Sequence, residues 1–348
     1  MANIKELKEL ALHAARHTAP ANYSCENVDE ALAGEFRNMA SSINEFQRNK
    51  YDIFEIMIET ADEVAPKRVI DKVGMFADIK TVDQGQKAIF KRKVGKNRAK
   101  KFLTQVGLSG VYETFRLDSD TFEVSAHAVG GAGTIDFERM LDGTETMSDI
   151  MDVITEGITD AAFYEIHRAL QAAFSAAGRP AANKKLVNSF DAQKMQELIG
   201  VVRAYGQSAI IFACPEFIAA MGPDAIVPPS AAVKGVYSPD DIDAIHNTGF
   251  IKMFRGCPIV EIPQSYTDES NTTTQINPQY AYVLPTGGEK VVKLVFEGQT
   301  QMWDNINRDQ SIEINAYKKM GVAVIAHHNW GIYKNTGIAD TSANTYGF

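Results

Sequence analysis

Cysteine is scarce in this 348-residue chain: Cys25, Cys214 and Cys257 are the whole supply, an odd number at wide, unpatterned spacing. That excludes a disulfide framework and a C-x-x-C zinc or redox site, and it points to a reducing cytoplasm as the place of folding. Long apolar runs are missing too. No stretch approaches the ~20 residues that a membrane-spanning helix needs, and runs such as Ile210 to Ala213 are strand-sized. The opening MANIKELKELALHAARH mixes charge with apolar residues from its third position, unlike the uninterrupted core of a secretory signal. Neither export nor a membrane partner is expected. A basic excess is also lacking, since 35 lysines and arginines face 44 aspartates and glutamates for a formal charge of -9. This disfavours a general binder of nucleic acid or anionic lipid and leaves other proteins as the expected partners.

The common catalytic signatures are absent as well. There is no G-x-S-x-G elbow, H-E-x-x-H helix, phosphate-binding G-x-x-x-x-G-K-[ST] loop or EF-hand loop, and Gly131-Ala132-Gly133 lacks the third glycine of a dinucleotide fingerprint. No catalytic residue, cofactor or metal site is expected.

What is present is enough apolar material, 45% of residues, to bury a sizeable core. At roughly 150 residues per domain this suggests two or three lobes. Ile4, Leu7, Leu10, Ala11 and Ala14 recur at helical spacing, and after Pro20 a second pattern runs Val28, Leu32, Phe36, Met39, Ile43, Phe46. Asn27 with Glu30 resembles a capping box for that helix. Ile53, Phe54, Met57, Ala61 and Val64 continue the helical theme until Pro66, so residues 1–66 read as an arm of short helices.

From about Lys80 the period changes. Phe122, Val124, Ala126 and Ala128 alternate strictly with Thr121, Glu123, Ser125 and His127, Val111 to Leu117 alternates less cleanly, and Lys87 to Val94 is a partner strand. Together they predict a long hairpin, closed by Gly130, Gly131 and Gly133 as a turn or hinge. Thr144 or Thr146 then caps the strongest helical stripe, from Met147 to Phe174, which Gly178 and Pro180 end. At 1.5 Å per residue this helix is about 45 to 50 Å long. Beyond it, helices at Ala192 to Tyr205, Pro215 and Pro239 to His246 alternate with a buried strand from Ser208 to Ala213. Strands follow at Phe250 to Phe254, Ile259 to Ile262, Tyr280 to Leu284 and Val291 to Phe296, and then at Ile312 to Tyr317 and Val322 to Ala326 around Gly321. The tail after Lys334 reads as disordered.

Three groups of residues could carry chemistry. His327 and His328 are possible metal ligands, with Asp304 or Asp309 completing a hydrolytic site, but neighbours on a strand point to opposite faces. Asp118 and Asp120 share one face of a possible strand with no third group nearby in sequence, which suits a solvated hairpin end. The third group is Lys91, Arg92, Lys93, Lys96, Arg98, Lys100 and Lys101, seven basic residues within eleven positions that hold no acidic one. A nucleic-acid patch, a solvated loop and a contact with an acidic surface on another copy of the chain all fit. The lack of interleaved aromatics favours the last over the first.

Taken in order, helical arm, long basic hairpin, long helix, α/β lobe and returning strands, the chain resembles the tailed-phage major capsid protein family, whose α+β fold is named after the phage Hong Kong 97. Gly256-Cys257-Pro258-Ile259-Val260 and Ala316-Tyr317-Lys318-Lys319-Met320-Gly321-Val322-Ala323-Val324 fall where that family places similar stretches. The resemblance implies an N-terminal arm (1–66), an extended loop with flanking strands (67–143) and a spine helix of a peripheral domain (144–182). An axial domain (183–290) and strands returning to the peripheral domain with the tail (291–348) would follow. It implies a coat subunit that forms pentamers and hexamers of an icosahedral head around double-stranded DNA, with no sequence-specific binding of that DNA. The basic residues would be interface residues, and the partners would be further copies, a separate scaffolding protein, a portal and decoration proteins. Assembly would occur in the host bacterial cytoplasm and the product would be the virion. Some relatives join an extended-loop lysine to an asparagine of another subunit; Lys91, Lys93, Lys96, Lys100 or Lys101 with Asn305 or Asn307 would be the candidates. An encapsulin-like nanocompartment shell shares the fold and is the nearest alternative, with a metal-dependent hydrolase as a second.

Overall fold

The computed structural model describes residues 4–16, 18, 25–92, 120–135, 138–139, 147–176, 179–204, 208–221, 253–262, 264–286, 290–307, 311–325 and 330–342. The N-terminal periodicities become α1 (Ile4–Ala15), α2 (Cys25–Met39) and α3 (Ile43–Val73). Three expectations are corrected here. The apolar pattern from Val28 to Phe46 is not one helix, because Ser42 takes an extended conformation and accepts a hydrogen bond from the Glu45 amide at 3.2 Å, capping a new helix. Asn27 is no cap, since it lies inside α2. Pro66 does not end α3 either. The helix runs on for seven residues, held by buried Ala65 and Val69 on the face that packs on the next helix.

The arm is not a free appendage. Leu7, Ala11, Val28, Leu32, Phe36 and Phe46 pack into one core with Met151, Ile312 and Ile314 from later in the chain, and all of them are buried. Removing α1 and α2 would expose that core, so their role includes folding of the subunit.

The long stripe forms α4 (Met147–Ser175), 29 residues and therefore about 43 Å. It lies against both of the larger sheets. One sheet has four strands in the order β1 (Ala77–Val82), β10 (Val292–Ile306), β11 (Ile312–Val324), β4 (His127–Ile135), with β1 parallel to β10 and the other pairs antiparallel. β11 is one continuous strand through Gly321, where two strands were predicted. A side chain at Gly321 would collide with the Ser125 carbonyl, which is why glycine stands there.

The other sheet has six strands, ordered β5 (Lys184–Val187), β12 (Gly331–Asn335), β9 (Tyr280–Thr286), β6 (Ser208–Ala213), β8 (Cys257–Glu261), β7 (Met253–Phe254). Alternate residues of its strands face opposite layers. Ile210, Phe212, Tyr282, Leu284 and Ile332 face α4, while Ile211, Ala213, Ala281, Val283 and Tyr333 face α5 (Ala192–Ala204) and α6 (Pro215–Ala220). β12 enters this sheet between β5 and β9, apart from the four-stranded sheet that holds β10 and β11. The predicted helix at 239–246 lies outside the described residues.

The strict alternation from Thr121 to Ala128 is also divided. β3 (Asp120–Val124) pairs antiparallel with β2 (Ala88–Arg92) as a separate two-stranded sheet, and after Ser125 and Ala126 the chain enters β4. Gly130, Gly131 and Gly133 sit in unbroken register with Tyr317, Ala316 and Ile314 of β11, so strand replaces the expected turn or hinge. Gly130 is required by a close approach, since a Cβ there would strike the Ala316 carbonyl.

Candidate assembly surfaces

The first two residues of the basic segment, Lys91 and Arg92, end β2 of the β2–β3 pair. Its base is fixed by a small core of Ala88, Phe90, Val124 and Val295, and the cross-strand pair Phe90 and Phe122 stacks with ring centroids 5.9 Å apart. Lys80 lies 4.2 Å from the Phe90 ring and donates to the Ile89 carbonyl at 3.0 Å. Lys87 bridges to Glu123 at 2.8 Å, and this hydrogen bond raises the lysine pKa. Lys91 is exposed on β2, and the backbone of Arg92 is opposed to Asp120 at the end of the described ladder. Lys93, Lys96, Arg98, Lys100, Lys101 and Asp118 lie outside the described residues.

A second polar feature was not anticipated. On β11 the residues Ile312, Ile314, Ala316, Lys318 and Met320 alternate inward, which drives a lysine into the buried face. Asp62 of α3 meets it: the carboxylate pairs with Lys318 Nζ and accepts the Thr300 amide at 3.1 Å and the Thr300 hydroxyl at 2.5 Å. The Thr300 amide is available because β10 bulges between Glu297 and Gln301, with Gly298 at φ 68°. One carboxylate thus ties α3 to both central strands. The sequence signal was the interruption of an apolar alternation by a charge.

On the outer side of this contact, α3 and β10 enclose an open groove of about 790 Å³ that includes Tyr51, Glu55, Glu59, Met302 and Trp303. Lys8 of α1 pairs with both Glu55 and Glu59, and these hydrogen bonds hold its pKa above the usual lysine value. Asp304 is bound to Lys50 at 3.1 Å. Asn305 and Asn307 are exposed near the β10–β11 connection, where Asn307 Nδ2 donates to the Ser311 hydroxyl at 3.0 Å. His327, His328 and Asp309, the other members of the hydrolase alternative, lie outside the described residues. Among the described residues, no three His, Cys, Asp or Glu side chains converge as metal ligands.

The buried titratable groups are structural. Burial pushes the Cys214 thiol up to about 12 and the Cys257 thiol up to about 11, values at which neither is a nucleophile near neutrality. Cys257 Sγ donates to the Ala209 carbonyl at 2.9 Å, linking β8 to β6. Arg179, just after α4, stacks 3.9 Å over the Trp330 ring and donates to the Trp330 carbonyl at 3.1 Å, fixing the helix end to the start of β12. His167 of α4 is buried 5.2 Å from the Tyr282 ring of β9, and among the described residues its Nε2 has no hydrogen-bond partner. Burial lowers its pKa to about 3, so the ring is neutral. It separates an apolar cavity of about 500 Å³ from a polar cleft lined by Tyr164, Arg168, Gln171, Gln275 and Asn277.

This architecture is similar to solved phage capsids. The acid-stable capsid of Helicobacter pylori bacteriophage KHP30 aligns with a TM-score of 0.51 and 10% identity over 74% of this chain and 87% of its own. The head of Helicobacter pylori bacteriophage KHP40 aligns with a TM-score of 0.50 and 11% identity over 76% and 90%. At these identities the likeness is one of fold. A search of curated protein sequences found no match. A family model described as "SPbeta prophage-derived putative capsid protein YonB" matches residues 14–334, nearly the whole of the folded chain, and the protein therefore belongs to that family of phage capsid proteins.

Proposed function

We propose that this chain is the major coat subunit of a tailed-phage head, with the Hong Kong 97 type of fold, and that copies of it form the pentamers and hexamers of an icosahedral shell around double-stranded DNA. The observation that carries the reading is the capsid-family match across 14–334, on a chain whose long helix α4 serves two separate sheets. In this assignment α4 is the spine, the four-stranded sheet belongs to the peripheral domain, and the six-stranded sheet belongs to the axial domain at capsomer centres. The β2–β3 hairpin and the chain beyond it form the extended loop. α1 to α3 form a folded arm.

Physical reasoning supports self-association. A two-stranded ribbon is marginal in water and gains stability from a surface outside itself. One interface repeated by rotation closes into a ring, and many weak contacts sum to a stable shell. Lys91, Arg92, Lys93, Lys96, Arg98, Lys100 and Lys101 are assigned to the contact between subunits. The charge of -9 suits a container that must release DNA, because a basic lining would hold the genome by counterion release. A separate scaffolding protein, a portal and decoration proteins are the further partners, and the virion is the destination. No catalytic role is assigned.

The test is to express the chain alone and with a scaffolding protein encoded beside it, then to examine both by size-exclusion chromatography and negative-stain electron microscopy. Rings or shells of five- and six-fold units are expected. Only monomers or dimers under both conditions would overturn the coat assignment, and shells that enclose a protein cargo would move it to an encapsulin-like compartment.

A further inference from the structure

We propose that the apolar cavity between α4 and the six-stranded sheet is a binding site for a small, neutral molecule of the class of a two-ring phenol, largely apolar with one hydroxyl group. The cavity, of about 500 Å³, is walled by Phe76 ahead of β1, Phe163 and Leu170 of α4, Phe212 of β6 and Leu284 of β9. Protein interiors hold few voids larger than a water molecule, so a space of this size is a feature to explain. A cavity of ~150 Å³ takes up one benzene ring, and this one therefore has room for two fused rings. Its volume falls within the range of pockets that hold small ligands.

Two polar atoms of the lining identify the ligand's polar group. His167 is 4% exposed and Tyr282 0%, and among the described residues neither His167 Nε2 nor the Tyr282 hydroxyl has a hydrogen-bond partner. Gln171 comes near that hydroxyl without completing a hydrogen bond. The two rings are neighbours, with centroids 5.2 Å apart, and both line the cavity. A buried polar atom left unpaired costs the full desolvation of that group, and a ligand hydroxyl relieves this because it donates and accepts at once. Burial keeps His167 neutral, so it offers no charge to a carboxylate. Asp71 and Glu261, exposed residues of the lining, repel one as well. Fatty-acid-like anions are thereby excluded in favour of an uncharged alcohol or phenol, and the aromatic wall of Phe76, Phe163, Phe212 and Tyr282 favours the phenol.

The experiment titrates the full chain at neutral pH with 2-naphthol, naphthalene and 2-naphthoate, following the fluorescence of each compound. One-to-one, saturable uptake of naphthol is expected, with naphthalene held roughly fivefold or more weakly for want of the hydroxyl, and naphthoate not held. Saturating naphthol should raise the melting temperature by roughly 1–2 °C. His167→Leu keeps the space but removes the unpaired nitrogen, and should level the affinities for naphthol and naphthalene; Tyr282→Phe should narrow the same gap. Val260→Phe, which fills the cavity from β8, should abolish uptake of both compounds. No saturable uptake by the unaltered protein would mean that water or the chain's own residues fill the space, and would overturn the proposal. So would tighter binding of naphthoate, uptake that persists in a folded Val260→Phe variant, or a preference for naphthol that survives both His167→Leu and Tyr282→Phe. The site does not depend on the coat assignment, and either result leaves that assignment standing.

Discussion

The six-stranded sheet is covered on both faces and the four-stranded sheet mainly on one, and the two write different patterns into the chain. β6 and β9 are nearly continuous apolar runs because successive residues face α4 on one side and α5 with α6 on the other. β11 instead alternates buried with half-buried residues, since only its inner face meets α3 and α4. A polar residue in the middle of β6 or β9 has nowhere to face water. On the second, even the inner face holds a lysine, provided that a carboxylate reaches it.

The junction between the sheets should show the largest effect. His167 has a folded pKa of about 3, below its ordinary value of 6.5. The neutral ring therefore favours the folded state: its contribution is complete above pH 6.5 and is lost as the pH falls from there through about 3. By linkage the loss approaches about 5 kcal/mol at the acid end. A His167→Gln variant should flatten the dependence of melting temperature on pH between 6.5 and 4, and parallel profiles for variant and parent would refute the assignment. Within the sandwiched sheet, Phe212 packs edge-on against Phe76 at 4.5 Å. Phe212→Ala should cost about 4 kcal/mol in urea denaturation, from lost transfer energy and an unrelaxed cavity.

In the one-sided sheet the charged contact should dominate. Asp62→Ala strands buried Lys318 and the Thr300 amide, and a loss of about 3 kcal/mol is expected, while adding Lys318→Met should recover most of it. Equal losses in the single and double variants would show that packing, not charge, matters there. The smallest effect separates two glycines on the edge strand β4. Gly130→Ala should cost about 2 kcal/mol because its Cβ meets the Ala316 carbonyl, whereas Gly131→Ala, with nothing within 4 Å, should be within about 0.5 kcal/mol of neutral.

Much of this organisation was legible in the residues. The stripe from Met147 to Phe174 is one unbroken helix because its apolar positions hold phase for eight turns, and Ser208 to Ala213 could be bounded because polar residues and Pro215 flank it. The break at Ser42 was hidden, since Met39, Ile43 and Phe46 stay at helical spacing across it; Ser42 with Glu45 was the signal to use. β12 was missed because its neighbours β5 and β9 are remote in sequence, and nothing local in Gly-Ile-Tyr-Lys-Asn announces a central strand. Of the candidate interface, the basic segment was evident from composition. The groove of Tyr51 and Trp303 was not, because its walls lie about 250 residues apart and meet only through the packing of α3 on β10.

Periodicity, charge density and the order of elements are properties of neighbours along the chain, so the residues alone determined the long helix, the strand character of most of the sheet segments, the basic hairpin and the resemblance to phage coats. Which strands share a sheet, that Pro66 is tolerated inside α3, that Lys318 can be buried and that Gly130 sits in a strand were decided only by tertiary structure. Each depends on a partner supplied from far away: Val69 and α4, Asp62, or the Ala316 carbonyl. Local preferences of a few tenths to a few kcal/mol yield to such contacts, because burial and charge pairing in the folded state are worth as much or more.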